Sequence, residues 1–134
     1  MAAVWRSKVA STVTTKSRGD EAEDQALVYL QAQGLTLVER NYRIARGPRA
    51  RGAEVDLIMH DRDGTLVFVE VRARRDTGHG GAAASVSHGK QRRCILGARH
   101  YLMSLSTLPP CRFDVVAIDG ERLNWIPAAF MADD

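Results

Sequence analysis

Glu70 stands in the most apolar stretch of the chain, Val67-Phe68-Val69-Glu70-Val71. A carboxylate buried in such a setting is expensive unless it is paired or binds a cation. Glu54 and Asp56 precede it, one residue apart, so an extended strand would place them on one face. Between them and Glu70 lies Asp61-Arg62-Asp63-Gly64, whose Asp-Gly pair is a hairpin signal. Asp56 and Glu70 are each seven residues from Asp63. A hairpin centred there sets the two carboxylates about opposite one another. Such neighbours repel, and a hard divalent cation such as Mg²⁺ would reconcile them. Arg72 follows Glu70 by two residues, a fixed positive charge on the same face. Acids that hold a metal beside such a cation can grip a phosphodiester, activate water and neutralise charge developing on phosphorus. The same spacing also fits a simpler arrangement, with Glu70 paired to Arg72 or another arginine and Asp56 exposed.

These residues need elements to position them. Ala22, Ala26, Tyr29 and Leu30 share one face of a helix expected over 20–33, with Asp20, Glu21, Glu23 and Asp24 in its first turn and Gly34 after its end. Leu35–Ile44 and Glu54–His60 read as strands separated by a Gly- and Pro-containing loop. Thr65–Ala73 is the strongest strand, and its continuous apolar run from Leu66 to Val69 predicts a central strand covered on both faces. Residues 76–89 read as a loop. A second helix is expected over Lys90–Leu105, with an apolar stripe of Cys94, Ile95, Ala98, Tyr101, Leu102 and Leu105. Arg112–Ile118 and Arg122–Ile126 are strands joined by Asp119-Gly120. The order α-β-β-β-α-β-β predicts one α/β domain over 19–134, a mixed sheet flanked by two helices.

The chain has 134 residues, the size of one domain with a core of its own. No apolar run approaches the roughly 20 residues of a membrane-spanning helix. The net charge of +3 hides a segregation. Residues 1–18 carry Arg6, Lys8, Lys16, Arg18 and no acid, which suggests a basic, disordered tail. Residues 19–134 hold 15 basic and 16 acidic groups. Within them Arg40, Arg43, Arg46, Arg49 and Arg51 form one cluster, and Arg72, Arg74 and Arg75 another. Such clusters suit a polyanion such as nucleic acid, and equally a solvated arginine-rich surface. Cys94 and Cys111 lack metal-ligand spacing, and Cys94 falls on an apolar helix face, so reduced thiols and a cytoplasmic location are expected.

Taken together, Glu23…Tyr29-Leu30, Arg40-Asn41-Tyr42-Arg43, Glu54-Val55-Asp56-Leu57-Ile58, Val67-Phe68-Val69-Glu70-Val71-Arg72-Ala73-Arg74, Lys90-Gln91, Tyr101-Leu102, Arg112-Phe113-Asp114-Val115-Val116 and Ala129-Phe130 resemble the bacterial YraN family. Its members are predicted nucleases with the restriction-endonuclease-like PD-(D/E)xK fold, similar to archaeal Holliday junction resolvases. The resemblance spans about residues 19–130. It implies a Mg²⁺- or Mn²⁺-dependent endonuclease acting on DNA, with branched DNA suggested by the resolvases and a homodimer by the need to cut two strands. Asp56 and Glu70 match the metal-binding acids, Glu54 and Glu23 the assisting acids, and Arg72 falls on the motif lysine. Lys90 and Gln91 match a pair that opens the second helix. Arg43, Arg74, Lys90, Gln91 and Arg93 are the expected backbone-phosphate contacts. Three departures stand out: Ala22 and Ala53 replace glycines before Glu23 and Glu54, the 41–54 loop is long, and the motif lysine is Arg72. Arginine stays charged and cannot act as a base, although it can stabilise charge on phosphorus. The alternative expectation is therefore a catalytically inactive nucleic-acid-binding module.

Overall fold

The computed structural model describes residues 15–45, 52–74 and 86–132, without the side chains of 15–18 and 74. Arg46, Arg49, Arg51 and Arg75, the first 14 residues of the expected tail and most of the 76–89 loop lie outside the described residues. The elements run α1 (Thr15–Ala32), β1 (Thr36–Ile44), β2 (Ala53–His60), β3 (Leu66–Arg74), α2 (His88–Leu102), β4 (Cys111–Asp119) and β5 (Arg122–Phe130). This is the expected α-β-β-β-α-β-β order.

One sheet of five strands is ordered β1-β2-β3-β4-β5. Neighbours are antiparallel except β3 and β4, which run parallel and are joined through α2. β3 is the central strand, as its unbroken apolar run predicts. Among the described residues each face carries one helix. Ala22, Ala26 and Leu30 of α1 pack on Leu57, Met59, Val67, Val69, Val71, Val116 and Ile118. On the other face, Cys94 and Ala98 of α2 pack on Val55, Ile58, Leu66, Phe68 and Phe113. Alternate residues of β3 thus feed two cores, the expected reading of a two-sided strand.

The helix ends differ from the sequence expectation. α1 starts at Thr15 rather than Asp20, so the acids 20–24 sit past the first turn and do not cap its positive end. Its C-terminus is closed by Leu35 N–H to Leu30 O at 3.1 Å and Gly34 N–H to Gln31 O at 3.0 Å, with Gly34 at φ 106°. That left-handed residue is why the helix stops at the expected glycine. α2 begins at His88, two residues before Lys90, because Ser87 caps it by accepting from Lys90 N–H. It ends at Leu102, and Leu105 follows the helix while still packing against its core. β5 runs on to Phe130, past the expected Ile126.

Candidate active site

The pleat of β2 changes phase at one residue. Leu57 and Met59 face α1, yet Val55, two residues before Leu57, packs on the α2 side with Ile58. Asp56 sits at this change. The ladder between β2 and β3 closes with Leu57 opposite Val69, one residue short of Asp56 and Glu70. Beyond that point Val71 N–H donates to Asp56 Oδ2 at 2.8 Å. A side-chain carboxylate here does the work of a backbone acceptor and keeps the buried N–H satisfied. Gly97 of α2 helps bring the chain together at this place. A Cβ there would lie 3.0 Å from Val55 Cγ2 and 3.3 Å from Glu54 N, so a larger residue would press on β2 unless its neighbours gave by a few tenths of an ångström.

Asp56 and Glu70 are each 7% exposed and Glu23 is 9% exposed. Burial holds the Asp56 carboxyl well above its ordinary range, and the charges of Glu70, Glu23 and Glu54 push it further up, against the hydrogen bond from Val71. Burial likewise pushes Glu70 up to about 7, with Lys90 and Arg72 pulling down, Glu54 pushing up and Arg93 pulling down. Asp56 therefore feels acids on both faces of the sheet, while the cations that act on Glu70 are Lys90, Arg72 and Arg93. Buried Cys94 lies within reach of the same charges: burial first, then Glu70, Asp56 and Glu54, hold its thiol well above the usual range. A thiol held protonated in this way is a packing residue rather than a nucleophile.

Glu23, Glu54, Arg43, Arg93 and Gln91 are engaged with other groups of the chain. Glu23 accepts from Arg40 Nε at 3.3 Å, and Arg40 Nη1 also pairs with Asp24 at 2.7 Å. Burial raises the Glu23 carboxyl while Arg40 and the Asn41 side chain hold it down. Glu54 lies between two arginines, Arg93 Nη2 at 3.2 Å and Arg43 Nη2 at 3.7 Å. The Gln91 amide is spent on Val86 O at 3.3 Å. Arg74 closes β3, and its side chain lies outside the described residues. Arg40, Asn41, Ser87 and Gly97 are parts of the site's scaffold that pattern reading passed over. The signal for Ser87 was its position three residues before Lys90. Asn41 adopts φ 57°, which no spacing rule foretells.

Residues 22–118 match a family described as "Uncharacterised protein family UPF0102". The chain belongs to the UPF0102 family. This is the YraN family whose resemblance the motifs carry. The chain is similar to a UPF0102 protein of Methylibium petroleiphilum, 64% identical over 120 residues, which cover 90% of this chain and 98% of that one. It is also similar to a UPF0102 protein of Cupriavidus taiwanensis, 56% identical over 118 residues, covering 88% and 86%. A third UPF0102 protein, from a Polaromonas species, is 56% identical over 129 residues, covering 90% and 85%. The UPF0102 match takes in Glu23, Glu54, Asp56, Glu70, Arg72, Lys90, Gln91 and Arg93. No helix among the described residues of this UPF0102 chain is long and apolar enough to cross a membrane.

The donor chemistry fits a hard divalent cation. Among the described residues no three His, Cys, Asp or Glu side chains stand close enough to hold a metal ion. Asp56 and Glu70 are a pair of oxygen donors, and Mg²⁺ commonly takes only one or two carboxylates, completing its shell with water and substrate phosphate. The pair is buried and mutually repelling, which is the condition a cation relieves.

Proposed function

We propose that this UPF0102 protein is a Mg²⁺- or Mn²⁺-dependent endonuclease-like protein that hydrolyses DNA phosphodiester bonds. One observation carries the reading: Asp56 and Glu70 are buried side by side where β2 parts from β3, with cations of β3 and α2 around them. Asp56 and Glu70 would hold the metal, which when bound supplies Lewis-acid chemistry at phosphorus. Arg72 steadies the charge that develops there and takes no proton, because a guanidinium stays charged. Lys90 adds positive charge on the α2 side. The arginines hold backbone phosphates without reading sequence. Branched DNA is the first substrate to try, and a second copy of the chain would supply the second cut in a duplex.

The test is cleavage of branched and linear DNA with Mg²⁺ or Mn²⁺ by wild type, Asp56→Ala and Arg72→Lys. Metal-dependent cleavage by wild type that disappears in Asp56→Ala is the expected result. A second reading, a silent nucleic-acid-binding module, is favoured by arginine at position 72. It replaces the first if wild type and Arg72→Lys both bind DNA salt-sensitively and neither cleaves.

A further inference from the structure

A shallow pocket of about 230 Å³ opens between the adjoining ends of β1 and β2 and helix α2, lined in part by Arg43, Ala53, Glu54 and Arg93. Among the described residues its charged lining is two guanidiniums and one carboxylate, a net single positive charge. The carboxylate serves both cations, Arg93 Nη2 through Oε1 at 3.2 Å and Arg43 Nη2 through Oε2 at 3.7 Å. It does so incompletely. Arg93 Nε, on the same edge of the guanidinium as Nη2, is buried without a hydrogen-bond partner. Guanidinium edges bind two acceptor oxygens at once, and phosphate oxygens fit that fork. Glu54 thus fills one prong of a two-pronged donor and leaves the other empty, an arrangement with a standing cost. A phosphodiester carries one negative charge, which is the charge the two arginines retain after Glu54 is counted.

We propose that this pocket seats one backbone phosphate of the nucleic acid and that Glu54 is its internal competitor, occupying Arg93 and Arg43 until the phosphate displaces it. The inference rests on the nucleic-acid part of the function proposed above and adds where one phosphate sits and what opposes it. Glu54 then acts as a brake on binding: it keeps the arginines aligned in the free protein and weakens the grip on DNA.

Fluorescence anisotropy with a labelled duplex in EDTA, where no metal-dependent cut occurs, tests this for wild type, Glu54→Gln, Arg93→Gln, the double variant and Glu39→Gln, a control acid elsewhere on exposed β1. Arg93→Lys keeps the charge while removing the fork, in case Arg93→Gln folds poorly. Glu54→Gln is expected to tighten binding by up to about fivefold, the size of a half-exposed ion pair released. That gain should vanish in the Arg93→Gln and Arg93→Lys backgrounds. Arg93→Gln should also lower the salt slope by about one. A Glu54→Gln gain no larger than that of Glu39→Gln overturns the proposal, as does a gain that persists without Arg93. A gain for inorganic phosphate without one for duplex overturns it too, in favour of a small-anion site. Cleavage is scored separately, so a competitor without a nuclease and a nuclease without this competitor give different results.

Discussion

Asp114 of β4 and Asp56 of β2 are buried aspartates of one sheet with very different surroundings. Asp114 is fully buried and lies beside Val69, on the α1 face. It accepts from Arg112 Nε at 3.0 and 3.2 Å, from Trp125 Nε1 at 3.0 Å and from Ala128 N–H at 2.9 Å. Arg112 is in turn anchored on Asp61 at 2.9 Å. Asp56 accepts one backbone hydrogen bond and is ringed by Glu70, Glu23 and Glu54. Both sites bury a carboxylate, but Asp114 has its cation in direct contact, whereas Asp56 is set among acids and the cations Lys90, Arg72 and Arg93 act on Glu70 beside it. A carboxylate with its donors built in joins elements together. A pair whose carboxyls stay raised despite the cations nearby is one that an added cation would favour, as the proposed metal-dependent function requires.

The comparison breaks most visibly on removing each acid. Asp114→Ala strips Arg112, Trp125 and Ala128 of their shared acceptor and should cost about 3–5 kcal/mol of stability, measured by urea unfolding. Asp56→Asn keeps an acceptor for Val71 N–H and relieves repulsion. In EDTA it should be as stable as wild type or more so, while losing metal-dependent cleavage. Equal destabilisation by both would make Asp56 a structural acid like Asp114.

The pH dependence separates the two sites next. Glu70 has its folded pKa raised to about 7 from the ordinary 4.5. Its contribution is fully present below 4.5 and is lost as pH rises toward 7, because the unfolded chain ionises first. Wild type should therefore lose on the order of 1–3 kcal/mol relative to Glu70→Gln between pH 4.5 and 7. Excess Mg²⁺ or Mn²⁺ should restore the difference at pH 7, since binding favours the ionised form. A wild-type minus Glu70→Gln curve that is flat across this range would show Glu70 to be neutralised within the chain.

How far this contrast is legible in sequence depends on what each residue relies upon. The symmetric spacing about Asp63-Gly64 anticipates the β2–β3 register from His60 opposite Leu66 to Leu57 opposite Val69, because hairpin register is local. The apolar run Leu66–Val69 marks β3 as central, because two-sided burial leaves a composition. Two partners of Asp114 are not local, since Trp125 and Ala128 come from the next strand, and Arg112, two residues away, is itself held by Asp61 from a turn 51 residues before it. Pattern reading sees Arg112-Phe113-Asp114 only as part of a strand. The phase change at Asp56 and the left-handed Asn41 are likewise set by tertiary contacts. The start of α1 is not legible in the sequence because its acids imitate a first turn.

Glu23 lies between the two extremes and yields the smallest effect. It is buried like Asp56 but has one cation, Arg40, which it shares with Asp24. Burial raises its carboxyl, and Arg40 is the principal counterweight. Arg40→Gln should destabilise the protein by about 0.5–1 kcal/mol at pH 7, the scale of a partly exposed ion pair. The loss should shrink at pH 4, where the raised Glu23 carboxyl is protonated and needs no counter-charge. Urea midpoints at the two pH values measure this directly. A loss of the same size at both would mean that Arg40 supports the fold through packing rather than through the charge of Glu23.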